Sequence, residues 1–452
     1  MPRVAAVVSN NRWVPPAAEA RLGLEFYATD SPGTAGHLKS SSEGFRVTEI
    51  SSYPLPDPDG AYVVLRVSSR DWEQHELADA LGRALGLPPR AVRWAGTKDR
   101  RAVAERLFSY RGRPPDRELA LPNVTVVEAY RARDGLTLGH HYGNRFDLLV
   151  DHLETPVAEA LDSYRAVAAE LRARGGLPNF FGPQRFGEVR PVTHEVGRWL
   201  IRGDVERAVD VYLTEVPADG CAGTGDLARR DYASHHDPTR ALREFPREYR
   251  FERTILQELE QGRGAVRAFR SLSRELRTLF VHAFQSLIFN RWLSARHASD
   301  LAFDRPVDGD RVVRLARDGT VRGAESTPVT ADNLSECIQL VGRGRALVAG
   351  PLVGFDTPTD PGAPGALLEC ILADEGVDRS MFGIPKAPEL ASRGTWRAIL
   401  VPPPPIGIDA TDGGVCFRFG LPKGAYATVL AREFLKNGAT ARAPPDASKR
   451  AY

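Results

Sequence analysis

The sequence predicts a protein of mixed helices and strands, divided into two or three domains. Length indicates the domain number, because 452 residues exceed what one ordinary hydrophobic core organises. Several short stretches alternate apolar and polar residues, which is typical of strands with one buried face. Other stretches repeat leucine or phenylalanine at helical spacing between start and stop signals. A hydrophobic content of 42% is enough to build the cores that these elements need.

Composition narrows the protein class. The four cysteines, Cys221, Cys337, Cys370 and Cys416, are scattered and form no C-x-x-C pair, which disfavours a zinc site or a disulfide framework. We therefore expect a reducing cytoplasm, no metal and no membrane, since no apolar run reaches the length of a signal peptide core or a bilayer span. The net charge is only +2, but arginine far outnumbers lysine, and arginine is the better fork for phosphate.

The first elements predict a small sheet and a helix. Alternation from Phe45 to Ile50 predicts a strand, with Lys39 just upstream in a Gly- and Ser-rich approach. A second strand is predicted over 61–67. A capping box starting at Asp71 predicts a helix that Gly86 ends. Local chemistry alone makes Lys39 a solvated loop residue.

The stretch W-A-G-T-K-D-R-R, residues 94–101, is the most suggestive in the chain. The run 91–95 suits a buried strand, and Gly96 then opens a loop in which Asp99 lies among three cations. A loop at a strand end is where a rigid scaffold presents a reactive group, and the cations would keep a carboxylate nucleophile ionised. On local chemistry alone, however, Asp99 is more often a turn or helix-cap residue.

Further strands are predicted over 124–129, 136–138 and 143–150. In the last of these Phe146 shares a face with Leu148 and Val150, so a core position is its default interpretation. The neighbouring His140 and His141 do not predict a metal site, because adjacent residues on a strand point to opposite faces.

A helix from Thr155 ends at Gly175-Gly176, where we place the first domain boundary. The loop 178–187 follows, and its aromatic residues interleaved with Arg185 could stack on bases and hold phosphates. Packing of the loop by its own aromatics is the alternative. Later stretches predict a surface excursion over 215–238, a long helix over 273–297, strands over 305–316, and a final strand, loop and helix over 414–436.

Taken together, short motifs in a fixed order resemble the TruD family of tRNA pseudouridine synthases. The larger insertion around 202–264 is similar to that of archaeal-type members. The residues that carry the resemblance are Gly36-His37-Leu38-Lys39, Phe45-Arg46-Val47-Thr48-Glu49, Ala95-Gly96-Thr97-Lys98-Asp99, Gly143-Asn144-Arg145-Phe146, Pro178 to Gly187, Val307-Asp308-Gly309-Asp310, and Leu421 to Thr428 before Arg432-Glu433.

The resemblance implies an α+β fold. A pseudouridine-synthase catalytic domain with a mixed or antiparallel sheet and helices would be interrupted by a large α/β insertion domain. The implied boundaries are 1–175 for the first part of the catalytic domain, 176–395 for the insertion, and 396–452 for the returning strand and helix.

The resemblance also implies the activity and its residues. The family isomerises uridine in tRNA to pseudouridine, by analogy at position 13, without a cofactor or a metal. Asp99 matches the nucleophilic aspartate, and Lys39 matches the basic residue that pairs with it. Phe146 matches the aromatic residue that stacks on uracil, and Asn144 matches the active-site amide. The expected substrate-binding residues are Glu49, which falls in a family motif, and Arg131, Arg133, Phe181 and Arg185. The expected partner is tRNA, and the expected state is a monomer.

Two other classes were weighed. A catalytically silent RNA-binding or RNA-chaperone protein could bind RNA with the same surface. The presence of Asp99, Lys39 and Phe146 disfavours this alternative. A nucleotide hydrolase is excluded because the chain has neither a Walker-type Gly-rich loop nor a Cys/His metal set.

Overall fold

The chain divides into two compact units, which we call the sheet unit and the helical unit. The structure is a computed structural model that describes residues 12–51, 53–187, 190–216, 223–316, 319–321 and 325–441. The sheet unit comprises Tyr27–Leu177 and residues 401–441. The helical unit comprises residues 12–26 and Pro178–Leu400.

Strands of both units are numbered along the chain. Within the described ranges they are β1 (Trp13–Val14), β2 (His37–Leu38), β3 (Phe45–Ile50), β4 (Tyr62–Arg70), β5 (Arg93–Trp94), β6 (Val103–Arg111), β7 (Val124–Ala132), β8 (Gly143–Asp151), β9 (Leu177–Pro178), β10 (Arg311–Arg314), β11 (Thr327–Pro328), β12 (Ala346–Leu352), β13 (Thr395–Ala398), β14 (Leu400–Val401), β15 (Gly407–Thr411), β16 (Gly414–Pro422) and β17 (Thr440–Ala441).

The α-helices are numbered in the same way. Within the described ranges they are α1 (Ala17–Ala20), α2 (Gln74–Ala84), α3 (Val157–Ala173), α4 (Thr193–Ile201), α5 (Val205–Thr214), α6 (Thr224–His235), α7 (Pro238–Glu244), α8 (Arg250–Glu260), α9 (Ala265–Arg270), α10 (Arg274–Ala298), α11 (Leu334–Gly342), α12 (Gly362–Asp374) and α13 (Ala427–Leu435). None of them combines the length and apolarity that crossing a bilayer requires.

The sheet unit is built on one mixed sheet with the strand order β15-β16-β8-β3-β6-β4-β7. Neighbouring strands run antiparallel except β3 and β6, which are parallel. Two short strands are added at the sides, β2 on β8 and β5 on β6. This confirms the predicted α+β class with a mixed sheet. The two short strands matter most for function, because each leads directly into a loop that carries a predicted catalytic residue.

Helices cover this sheet through apolar contacts. Leu77 and Leu81 of α2 pack in a buried cluster with residues of β4 and β6, including Phe108. Tyr164 of α3 lies 5.0 Å from the ring of Phe417 on β16. Phe434 of α13 lies 4.9 Å from the same ring. The late strand and helix are therefore part of the same core as the early strands, which gives β16 a fixed position beside β8.

The helical unit is organised around α10. This confirms the long helix predicted over 273–297, and its buried face includes Phe280, Phe284, Leu287, Ile288 and Trp292. The helix packs against α4, α12 and strand β12. Strand β12 belongs to a small antiparallel sheet with the order β11-β10-β12-β13.

Four local predictions are wrong. The helix after Arg70 is capped by Glu73, whose carboxylate accepts from the amides of His75 and Glu76, whereas Asp71 adopts a positive φ of 62°. The segment 136–138 is a loop, because the Leu136 amide donates to Ser109 Oγ and leaves the sheet ladder.

The predicted strand over 91–95 is reduced to the two residues of β5. The expected surface excursion over 215–238 contains α6, which buries Ala228 and Tyr232. Residues 217–222 of that stretch lie outside the described residues.

The unit boundaries differ from the predicted domain boundaries chiefly at the start of the chain. Residues 12–26 group with the helical unit, not with the first strands. The cause is polar anchoring to α10: Asn290 Nδ2 donates to Leu22 O at 2.9 Å, and Ser294 Oγ donates to Gly23 O at 2.7 Å. The other changes of unit fall after Leu177 and after Leu400, against predicted positions of 176 and 396.

Candidate active site

The fold of the sheet unit brings Lys39 and Asp99 together. Lys39 directly follows strand β2, which ends at Leu38, and Asp99 lies in the loop between β5 and β6. Lys39 Nζ donates to Asp99 Oδ2 at 2.9 Å. The lysine side chain is 12% exposed and the aspartate side chain 40%, so the carboxylate is open to solvent. Lys39 has a φ of 59°, a left-handed conformation that is uncommon for lysine and typical of functional sites.

Aromatic rings surround the lysine side of this pair. Lys39 Nζ lies 4.4 Å from the ring centroid of Phe45, a cation–π geometry. Phe45 meets Phe146 edge-on at 6.4 Å, and Phe146 stacks on Phe419 at 5.4 Å. Alternation on three adjacent strands produces this arrangement, because Val47, Phe146 and Phe419 are partners across β3, β8 and β16. The ring of Phe146 is thereby held rigidly, and the residue is 8% exposed.

Asn144 lies on the same face, one row further along the sheet. Its partners across the strands are Glu49 on β3 and Leu421 on β16. Its Oδ1 atom is buried and has no hydrogen-bond partner among the described residues. Phe146 and Asn144 therefore line one face of the sheet two residues apart, as the sequence pattern G-N-R-F requires.

Beneath the loop of Asp99 lies a buried ion pair. Lys98 Nζ donates to Glu49 Oε2 at 2.6 Å, with side chains 2% and 0% exposed. Burial lowers the pKa of Lys98, while the charge of Glu49 opposes that shift. The predicted site residue Glu49 is thus placed inside the protein, where it contacts the neighbour of Asp99. Successive residues have different tasks: Lys98 points into the core and Asp99 stays open to solvent.

His141 closes the other side of the same loop. A Cβ atom added to Gly96 would lie 2.7 Å from His141 Cε1, so only glycine permits this approach. Burial is the main cause that lowers the pKa of His141, and the nearby charge of Lys98 lowers it further. The imidazole therefore packs over the loop as a neutral group. The structure assigns no metal cluster to His140 and His141 within the described residues.

An open basin of about 450 Å³ borders the ion pair. Arg101, two residues after Asp99, lines it and donates from Nη2 to Ser40 O at 2.8 Å. That bond ties the loop of Asp99 to the segment of Lys39. The lining residues are Gly36, His37, Leu38, Lys39, Ser40, Arg101, Leu435 and Asn437.

Two of the predicted RNA-binding residues lie at the end of β7. Arg131 donates from Nε and Nη2 to Gly60 O at 2.9 and 2.7 Å. The side chain of Arg133 is 84% exposed and pairs with Asp57 at 2.9 Å. Arg131 is therefore tied to a neighbouring loop, whereas the guanidinium of Arg133 is open to solvent.

The other two lie in the helical unit. Arg185 donates from Nε to Ser286 Oγ at 3.1 Å and sits 5.7 Å from the ring of Phe181. Phe181 is 7% exposed, with Arg397 4.1 Å from its ring centroid and Phe289 edge-on at 5.5 Å. In this conformation Phe181 packs inside its own unit. Glu188, an acid close to Arg185 in sequence that could pair with it, lies outside the described residues.

Sequence reasoning missed the roles of Phe45, Lys98, His141 and Arg101. One signal was present: Glu49 follows Phe45 and Val47 on the apolar face of β3, and an acid in such a position requires a buried partner. No local pattern identified that partner, which lies 49 residues away. One further group with metal-binding donor types lies next to the basin: His37, Asp151 and His152.

Comparisons with known proteins identify one family. The family model for tRNA pseudouridine synthase D (TruD) matches residues 21–434. A protein of Halobacterium salinarum named "Probable tRNA pseudouridine synthase D" is 39% identical over 432 residues, covering 92% of this chain and 97% of its own length. A protein of the same name from Thermococcus gammatolerans is 36% identical over 426 residues, covering 91% and 97%.

A solved structure is similar to this chain over nearly its whole length. The crystal structure of a TruD protein from Methanosarcina mazei superposes with a TM-score of 0.78 at 31% sequence identity. The match covers 93% of this chain and 98% of the other.

Proposed function

Because this chain belongs to the TruD family of tRNA pseudouridine synthases, we propose that it isomerises uridine 13 of tRNA with Asp99 as the nucleophile. The observation that carries the proposal is the 2.9 Å ion pair between Lys39 and a half-open Asp99. Lys39 holds the Asp99 carboxylate from a left-handed backbone conformation, which is uncommon for a lysine. It is well suited to orient an ionised nucleophile.

The reaction breaks the N1–C1′ bond of uridine, turns the uracil over and joins C5 to C1′, after which C5 loses a proton and N1 gains one. No electrons are gained or lost, so the chemistry needs no redox group. A carboxylate must attack the ribose or the ring, and a flat wall must keep the detached base in place. Asp99 supplies the carboxylate, and the ring of Phe146, braced by Phe419, supplies the wall. Either route of attack fits the exposed Asp99 side chain.

Lys39 and Asn144 have supporting roles in this proposal. Lys39 neutralises and orients Asp99, and the Phe45 ring restricts where its ammonium can go. Asn144 lies close to Phe146 on the same face of the sheet, and we assign its side-chain amide a hydrogen bond to the uracil base. Glu49 acts indirectly, by holding Lys98 under the loop.

We further propose that the rest of the tRNA contacts Arg131, Arg133, Phe181 and Arg185. Arg133 is the strongest candidate, since its side chain is 84% exposed. Contacts from Arg131 and Phe181 require them to leave their present packing partners. We expect the enzyme to act as a monomer in the cytoplasm.

The test uses unmodified tRNA transcripts that contain U13. Transcripts are incubated with the protein, and pseudouridine is mapped by carbodiimide treatment and primer extension. We expect modification at position 13, and none with a transcript carrying cytidine there. Asp99→Asn, which keeps the shape of the side chain but removes the nucleophile, should bind tRNA and leave it unmodified.

Two outcomes would contradict the proposal. Binding without any modification by the unaltered chain would favour the RNA-binding or chaperone alternative. Substantial modification by Asp99→Asn would remove Asp99 from the nucleophile role.

A further inference from the structure

A metal-binding site at the edge of the sheet unit is the inference that goes beyond uridine chemistry. We propose that His37, Asp151 and His152 bind one divalent transition-metal ion, with Zn²⁺ as the best match. The three residues come from the paired ends of two strands, because His37 of β2 is the direct partner of Asp151 of β8. His152 follows with a φ of 48°, so the chain turns immediately after the strand. The site does not depend on the proposed function.

The geometry of the three side chains fits a single ion. One donor atom from each residue lies within 4.8 Å of the other two. The two imidazole rings are 5.2 Å apart between centroids. Two imidazoles on one tetrahedral zinc, with Zn–N near 2.0–2.1 Å, have ring centroids ~5 Å apart. The rings are therefore at the separation that one ion requires, and side-chain rotations would bring the donor atoms onto it.

The chemistry of the donor set also selects the ion. Two imidazoles and one carboxylate suit zinc, copper and nickel, whereas calcium and magnesium prefer oxygen ligands alone. Ser40 Oγ donates to Asp151 Oδ1 at 2.6 Å, which orients the carboxylate and leaves its second oxygen for the metal. Three protein ligands leave the fourth coordination position of a tetrahedral ion free for water. His37 also lines the open basin beside Lys39.

Binding of an ion here has a structural consequence for the neighbouring site. His37 is separated from Lys39 only by Leu38, and β2 contributes just two residues to the sheet. A metal bridge between β2 and β8 would hold that short strand against its neighbour. The ion takes no part in the reaction itself. It stabilises the segment from which Lys39 reaches Asp99.

The test titrates the full chain, freed of metal with a chelator, with Zn²⁺ in a calorimeter and with Co²⁺ under visible absorption. We expect one ion per chain, intense absorption bands typical of low-coordinate Co²⁺, and a rise in melting temperature with Zn²⁺. His37→Gln and His152→Asn should each weaken binding at least tenfold and abolish the stabilisation. Asparagine is chosen at 152 because it tolerates a positive φ.

The double variant His235→Ala/His236→Asn is the matched control, with asparagine at 236 because that residue has a φ of 49°. These two histidines are also exposed and near aspartates, but they form no three-residue cluster. The control should bind Zn²⁺ like the unaltered chain. Absence of saturable one-to-one binding, or equal affinity in His37→Gln and the unaltered chain, overturns the proposal. Circular dichroism shows that each variant is folded before it is titrated.

Discussion

At Lys39 three features act on one ammonium group. The carboxylate of Asp99 accepts its hydrogen bond, the ring of Phe45 attracts its charge, and the backbone that carries it has a left-handed φ of 59°. A solvated loop lysine, which local sequence favoured, would have none of these constraints. The arrangement therefore indicates that Lys39 acts on Asp99 and is not merely on the surface.

We predict that Lys39→Met lowers kcat by about 10²-fold or more. The Asp99 carboxylate would lose the positive charge that neutralises and orients it. Steady-state kinetics on U13-containing tRNA measure the change, together with a pH–rate profile and a thermal melt. The melting temperature should shift little, since Asp99 is 40% exposed and methionine keeps the apolar stem of the lysine. Lys386→Met is the control. Equal kcat and an unchanged profile in the two variants would return Lys39 to the solvated-loop interpretation.

At the scale of elements, regular strands were predictable and loops were not. Alternation correctly placed Phe45, Val47 and Phe146 on buried faces, since the two-residue period of a strand leaves no choice once one face is apolar. The reduction of 91–95 to two strand residues was not predictable. The loop that follows β5 is also contacted by His141, 45 residues beyond Gly96. Local patterns contain no information about a contact of that range.

The loop between β5 and β6 is expected to depend on its buried ion pair. We predict that Lys98→Met costs about 3–5 kcal/mol of unfolding free energy, because it leaves the Glu49 charge buried and unpaired. The double variant Lys98→Met/Glu49→Gln removes both charges and should recover most of the loss. Urea unfolding measures both.

Kinetic measurements on these variants show whether the Lys98–Glu49 pair positions Asp99 or only stabilises the fold. If the pair positions Asp99, the stable double variant should keep its KM for tRNA and still have a reduced kcat. Full recovery of kcat along with stability would mean that the pair is structural only. Glu49→Gln alone completes the double-mutant cycle.

Helix α13 ends on a buried lysine with a testable pH dependence. Lys436 Nζ donates to Thr29 Oγ1 and Glu433 O, both at 2.7 Å, and burial lowers its pKa to about 8 against the partial opposition of Glu433. The unfolded chain, with a lysine pKa near 10.5, therefore binds more protons between about pH 8 and 10.5. The contribution of Lys436 to stability must then rise with pH across that window.

We predict that the unfolding free energy of the unaltered chain, relative to Lys436→Met, increases by up to about 3 kcal/mol between pH 7 and 11. Urea unfolding at several pH values gives the two curves, and taking their difference cancels the titration of tyrosines. Lys386→Met provides the baseline for loss of a lysine elsewhere. Parallel curves for Lys436→Met and the unaltered chain would show that Lys436 does not titrate in this window.

For the whole molecule, long-range order of motifs was more informative than any single motif. The late strand β16 lies beside β8, and only the family resemblance indicated that residues 414–422 return to the first sheet. The grouping of residues 12–26 with the helical unit was missed, because it rests on side chains of α10 about 270 residues away. Backbone anchoring of that kind leaves no periodic signal in the anchored segment.

Binding of an entire tRNA is the property that involves most of the molecule, and Arg133 offers the sharpest test of it. Its guanidinium is 84% exposed and has one carboxylate partner, Asp57. Removal of one phosphate contact should reduce the log–log salt slope of tRNA binding by about one unit. We predict this for Arg133→Ala, with little change in kcat at saturating tRNA, because a phosphate contact contributes to binding and not to the reacting groups.

Arg393→Ala is the matched control, since its side chain is 81% exposed and pairs with Asp356 at 2.7 Å. Both changes remove an exposed arginine and its ion pair, so a difference between them reports the RNA contact and not the lost charge. Arg185→Ala should also shallow the slope if its guanidinium reaches phosphate. Arg131→Ala should also weaken binding, through its guanidinium and through the loop that it holds at Gly60. Filter binding across a salt series decides: identical slopes for Arg133→Ala and Arg393→Ala would exclude the phosphate contact.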